Sequence, residues 1–227
     1  GADQRQLRVG YTDSAKFEAP NPASIAFAVP REGLDQGHPT VAYDGTNFNL
    51  FWQESRGGRL TVQGARFTAG GALIDSFAVA DGAWNQYEPT CTAYADGDVF
   101  VAWTDSRVGP TERDLWCVSL EGGAVVHGPV ALANEAGVRE EHPKAAVRQE
   151  YATVTAFEAS SPSLGRGIRC STAYQDLSYS YTLDVAMNTG RTFDHPDIAS
   201  NGEDLLITYQ EVVFSDGPSL HVPFGYR

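Results

Sequence analysis

A unit of about fifty residues recurs along the chain, and no feature constrains the fold more. It begins His38-Pro39-Thr40-Val41-Ala42-Tyr43, and returns as Glu88-Pro89-Thr90-Cys91-Thr92-Ala93, His142-Pro143-Lys144-Ala145-Ala146-Val147 and His195-Pro196-Asp197-Ile198-Ala199-Ser200. The prolines stand 50, 54 and 53 residues apart. A second apolar run follows each start and ends on an aromatic: Trp52, Trp103, Phe157 and Tyr209. Turn residues such as Asp44-Gly45-Thr46-Asn47 separate the two runs. Third runs cover Leu60 to Phe67, Asp114 to Leu120 and Gly167 to Tyr174, and shorter fourth runs Ser76 to Ala80 and Pro129 to Leu132. The third unit's fourth run, near Tyr181 to Val185, is less clear. Helical periodicity is absent.

Four short strands per fifty-residue unit predict an all-β chain folded as a four-bladed β-propeller, each blade of about four antiparallel strands. A β-sandwich explains the strands but not the self-similarity. The expected organisation is one domain over residues 1–227: blades at about 38–83, 88–135 and 142–190, and a fourth from 195–227 plus 5–30. The fourth unit is too short alone. Gln6 to Thr12 reads as its third strand and Ser24 to Val29 as its fourth, so the termini would share the last blade and close the ring. Ser219 to Tyr226 also reads as a third strand, leaving one segment surplus. That segment could be an outer strand, a tail or a homo-oligomer contact.

The repeat resembles the sialidase-type and hemopexin-like propeller repeats. Ala186-Met187-Asn188-Thr189-Gly190-Arg191-Thr192-Phe193 has the spacing of the sialidase Asp-box, Ser-x-Asp-x-Gly-x-Thr-Trp, with Gly190 and Thr192 kept and the other three positions replaced. The resemblance implies a β-turn between strands there. A sialidase would further require six blades, an arginine triad, a tyrosine nucleophile and an acid, for which this chain is too short.

Three of the five histidines fall at one repeat position, directly before the proline: His38, His142 and His195, with Glu88 in the remaining unit. In a propeller the innermost strand of each blade starts there, at the mouth of the central channel. The expectation is a metal centre of His38, Glu88, His142 and His195 holding one transition-metal ion. A near-planar donor set favours copper or iron, with nickel, manganese or zinc as further candidates. The function expected is a metalloenzyme, oxidative if the metal is redox-active, acting on a small-molecule substrate. The same residues could instead hold a structural hydrogen-bonded ring.

The second runs end in Glu54, Asp105, Glu158 and Glu211, expected to orient the histidines or act as acids and bases. Arg56 and Arg107 are candidates for binding an anionic substrate group, or for pairing across blades. Two alternatives stand beside the metalloenzyme. One is a glycan-binding, lectin-like propeller using exposed aromatics such as Trp84 or Trp116; the other is a structural or interaction propeller with a structural ion.

The formal net charge of −13 argues against nucleic acid and anionic membrane as partners. No apolar run approaches about 18 residues, the length of a membrane-spanning helix. Cys91, Cys117 and Cys170 have no metal-ligand spacing and read as buried thiols. The opening Gly1-Ala2-Asp3-Gln4 matches no targeting pattern, so secreted and cytoplasmic locations are not distinguished.

Overall fold

The computed structural model describes residues 8–11, 25–28, 35–80, 82–109, 111–149, 151–178, 180–213 and 220–226; for 8–11, 25–28, 213 and 220–226 it describes the backbone alone. Every regular element among them is a strand. β1 (Arg8–Tyr11) and β2 (Ile25–Ala28) pair only with each other, in a two-stranded sheet. β3 (Gln36–Tyr43), β4 (Asn47–Arg56), β5 (Arg59–Thr68) and β6 (Leu73–Ala80) form an antiparallel sheet in chain order. β7 (Gln86–Ala93), β8 (Val99–Asp105), β9 (Asp114–Glu121) and β10 (Ala124–Ala133) repeat it. β11 (Arg139–Arg148), β12 (Ala152–Ser161), β13 (Gly165–Tyr174) and β14 (Ser180–Ala186) do so again. β15 (Thr192–Ser200), β16 (Leu205–Val213) and β17 (Leu220–Tyr226) form the last set.

One parallel bridge, Arg166 to Thr192, joins the last two sets into a seven-stranded sheet. The sheets therefore number two of four strands, one of seven and one of two, rather than four separate blades. β17 lies antiparallel to β16 and takes the third place of the last set. The degenerate Asp-box forms a turn between β14 and β15, where Asn188 Oδ1 accepts from Gly190 N at 2.8 Å.

The sheets bury both faces, so their middle strands are buried over most of their length. β8 is buried along its whole length. Between the first two sheets pack Phe51, Val62, Val101 and Trp103; between the second and third, Phe100, Leu115, Cys117 and Phe157. Trp52, Trp103 and Phe157 are at most 1 % exposed, so these aromatics anchor the packing rather than contact a ligand. The indole N–H groups of Trp52 and Trp103 donate to Glu54 and Asp105. Cys91 and Cys117 are buried free thiols, and Cys170 is half-buried.

The inner strands share one irregularity. Pairing with the second strand slips between Gly37 and Thr40, Tyr87 and Thr90, Glu141 and Lys144, and Asp194 and Asp197. Each slip holds the residue before the proline and the proline itself. The proline has no N–H to give the ladder and is tolerated at a bulge. The preceding residue turns left-handed: φ is 51° at His38, 50° at Glu88, 55° at His142 and 52° at His195. A left-handed non-glycine residue costs about 1–2 kcal/mol, here at four equivalent points. His195→Gly is therefore expected to unfold at higher urea than His195→Ala, by about 1 kcal/mol of stability. Equal midpoints for the two variants would show that this backbone is unstrained.

Candidate functional site

The four bulges face one another. β7 packs against β3 and β11, and β11 against β15, so the inner strands lie side by side in the order β3, β7, β11, β15. His38, Glu88, His142 and His195 line a single open cleft of about 700 Å³ with their prolines. The pre-proline residues are thus brought together from four distant parts of the chain. Two positions further along each strand, Thr40, Thr90, Lys144 and Asp197 line the same cleft.

Of the second-strand acids, only Glu158 reaches the cleft. Glu54, Asp105 and Glu211 stand two residues beyond the strand's aromatic, whereas Glu158 follows Phe157 directly. Side chains alternate across a strand, so this offset of one turns Glu158 to the opposite face. Its equivalent in the first unit is Gln53, whose Oε1 accepts from Glu88 N at 3.1 Å. Glu158 Oε1 accepts in the same way from His195 N at 2.9 Å. These side chains hold the bulge of the following unit.

Glu54, Asp105 and Glu211 lie elsewhere. Glu54 pairs with Arg56 at 2.8 Å, and Asp105 with Arg107 at 2.8 Å. Glu211 pairs with Arg191 at 2.8 Å. Neither Arg56 nor Arg107 lines the cleft; Arg107 stacks on Trp116, 3.3 Å from the ring centroid.

Within the cleft, charges pair closely. Glu88 Oε2 lies 3.2 Å from His142 Nε2, and its Oε1 lies 3.8 Å from His38 Nδ1. His142 Nδ1 lies 3.3 Å from Glu158 Oε2. Arg166 Nε donates to that oxygen at 3.0 Å. His195 Nδ1 stands 2.9 Å from Asp194 Oδ1. Burial pushes the Glu158 carboxyl up, but His142, the His195 N–H and Arg166 outweigh it and hold it down at about 2. Glu158 in turn raises the pKa of His142 against its partial burial, assisted by Glu88 and Glu141.

His142 thus stands with one nitrogen near each of two carboxylates, Glu88 and Glu158. Among the described residues no group of three or more His, Cys, Asp or Glu side chains is disposed to hold a metal ion.

Sequence reasoning passed over Arg166, which precedes the third run and gives no local sign of its partner. It grouped Glu158 with the three other acids. The one-residue offset from Phe157 was the available signal that Glu158 faces the other way.

No known family pattern matches the chain, and no curated protein does. Solved structures match its shape. An endo-arabinase from Bacteroides thetaiotaomicron VPI-5482 superposes with a TM-score of 0.58 at 11% identity, over 89% of this chain and 81% of that one. An α-L-arabinofuranosidase from Lactobacillus brevis gives 0.55 at 12% identity, over 90% and 79%. A family-43 β-1,3-galactosidase gives 0.54 at 14% identity, over 88% and 80%. These neighbours are glycoside hydrolases, and with them the expectation of a metalloenzyme acting on a small molecule is overturned. The Asp-box and hemopexin details of the sequence resemblance gain no support from them. At such low identity the likeness bears on architecture alone: the chain is a β-propeller.

Proposed function

We propose that this propeller recognises a glycan, bound in the mouth cleft among His38, Glu88, His142 and His195. The observation that carries the reading is the cleft itself. It is open, polar and about 700 Å³ in volume, on a fold whose solved neighbours include an endo-arabinase and a β-1,3-galactosidase. Pockets of about 300–1,000 Å³ suit small organic ligands, and a few sugar rings fall in that range. The paired imidazoles and carboxylates supply donors and acceptors for hydroxyl groups. Trp84, 49% exposed on the segment leading into β7, offers a ring face beside the strand ends that surround the mouth. Trp116 does not, because Arg107 covers it.

The inner strands β3, β7, β11 and β15 support a four-bladed reading, with units at about 38–83, 88–135, 142–190 and 195–227 plus 5–30. β1 and β2 would then belong to the last blade.

A second reading, hydrolysis, is favoured by one spacing. Glu88 and Glu158 both lie beside His142, so their nearest oxygens are at most about 9 Å apart, an upper bound that admits the spans of about 5–5.5 Å and 6.5–9.5 Å used by retaining and inverting glycosidases.

A glycan array followed by calorimetry tests the proposal, with reducing-sugar release measured on each hit. Binding of an arabino- or galacto-oligosaccharide is expected, weakened about tenfold or more by Glu88→Ala. A protein that binds no arrayed glycan would sink the reading. Binding without release would leave recognition and remove hydrolysis.

A further inference from the structure

The carboxylates that line the cleft are all engaged. Glu88 lies between His38 and His142. Glu158 is held by His142, Arg166 and the His195 N–H. Asp197 Oδ1 accepts from Ile198 N at 2.9 Å. The cations His142 and Arg166 are neutralised in the same contacts. Lys144 is different. It lines the cleft, it is exposed, and no carboxylate among the described residues lies within ion-pair distance of its ammonium. At the equivalent positions of the other inner strands stand Thr40, Thr90 and Asp197, so the cleft carries this ammonium on one side only.

We infer that the cleft takes an acidic sugar, a uronate, whose carboxylate meets the Lys144 ammonium. This rests on the glycan reading above and deepens it. A neutral sugar would leave the ammonium hydrated and gain little from it. A carboxylate makes a charge-assisted hydrogen bond in a partly enclosed site, one of the stronger polar contacts a protein can offer. The imidazoles of His38 and His195, 45% and 69% exposed, remain at the rim for the ring hydroxyls.

Calorimetry with trisaccharides of galacturonate and glucuronate tests this, each compared with its methyl ester and with a neutral arabino-trisaccharide. The acid form of at least one is expected to bind about tenfold or more tighter than its ester. Lys144→Met should abolish that preference, weakening the acid about tenfold more than the ester. Lys144 is exposed, so the variant should melt with the wild-type protein; Lys144→Arg should restore the preference. Neutral or esterified sugars binding as well as the acids would overturn the inference and leave the glycan reading standing. A preference that survives Lys144→Met would overturn it too. Binding of no sugar at all would overturn both readings.

Discussion

Replacing Glu140 by glutamine is expected to raise the urea midpoint strongly in mildly alkaline buffer and to lower it slightly near pH 4. Glu140 is 1% exposed, and its Oε2 has no hydrogen-bond partner. Burial pushes its carboxyl from 4.5 up to about 8, helped by the nearby charges of Asp114 and Glu135 and opposed by the Glu135 backbone and by Arg169. The folded protein therefore keeps this proton over a range in which the unfolded chain releases it. Stability attributable to Glu140 is intact below pH 4.5, falls as pH rises towards about 8, and is constant beyond. The full loss is about 5 kcal/mol, a large share of the stability of a single domain. The glutamine variant escapes it.

The repeat shows that the position accepts an amide. Gln36 and Gln86 occupy it in the first two units, and both are buried. Gln86 Oε1 accepts from Val62 N, and Gln36 Nε2 donates to Glu54. In the third unit Ala159 replaces the Glu54 partner, so the new amide would lack one acceptor, at a cost of about 1 kcal/mol. A net gain of about 4 kcal/mol in the alkaline range is the expected reading. Equal midpoints for the two proteins at both pH values would show that Glu140 is ionised in the fold.

Glu158→Gln should act in the opposite direction and at the opposite end of the pH scale. The carboxyl of Glu158, 5% exposed, is depressed from 4.5 to about 2. Its contribution is present above pH 4.5 and disappears as pH falls from there through about 2. That contribution is about 3 kcal/mol. The amide can still accept from the His195 N–H, so the fourth bulge keeps its tether. What is lost is the negative charge facing His142 and Arg166. The variant should therefore be less stable than wild type at pH 7, with the difference shrinking to nothing near pH 2.

The same substitution reaches His142. Its raised pKa means that its stabilisation is complete below 6.5 and is lost as pH climbs through the folded value. In Glu158→Gln the ring should titrate closer to its ordinary value, held by Glu88 and Glu141 alone. NMR of the ring protons reads this directly. An unmoved His142 titration would mean that Glu158 does not govern the cleft, and that its contacts with the ring are incidental.

The sequence determined the strands, the turns between them, and the fifty-residue period that places four pre-proline residues at equivalent points. It determined, through that period alone, that His38, Glu88, His142 and His195 meet. All of these follow from patterns within a few dozen residues, where alternation, turn chemistry and repetition are visible. The tertiary structure decided the rest. It set the left-handed bulges that project the four side chains, chose β17 for the place beside β16, and turned Glu158 alone among the second-strand acids towards the axis. It also decided that His142 lies between the carboxylates of Glu88 and Glu158. The state of an imidazole depends on the charges within a few ångströms of it. Here those charges come from neighbouring units, and distances of that kind are created only when the sheets pack.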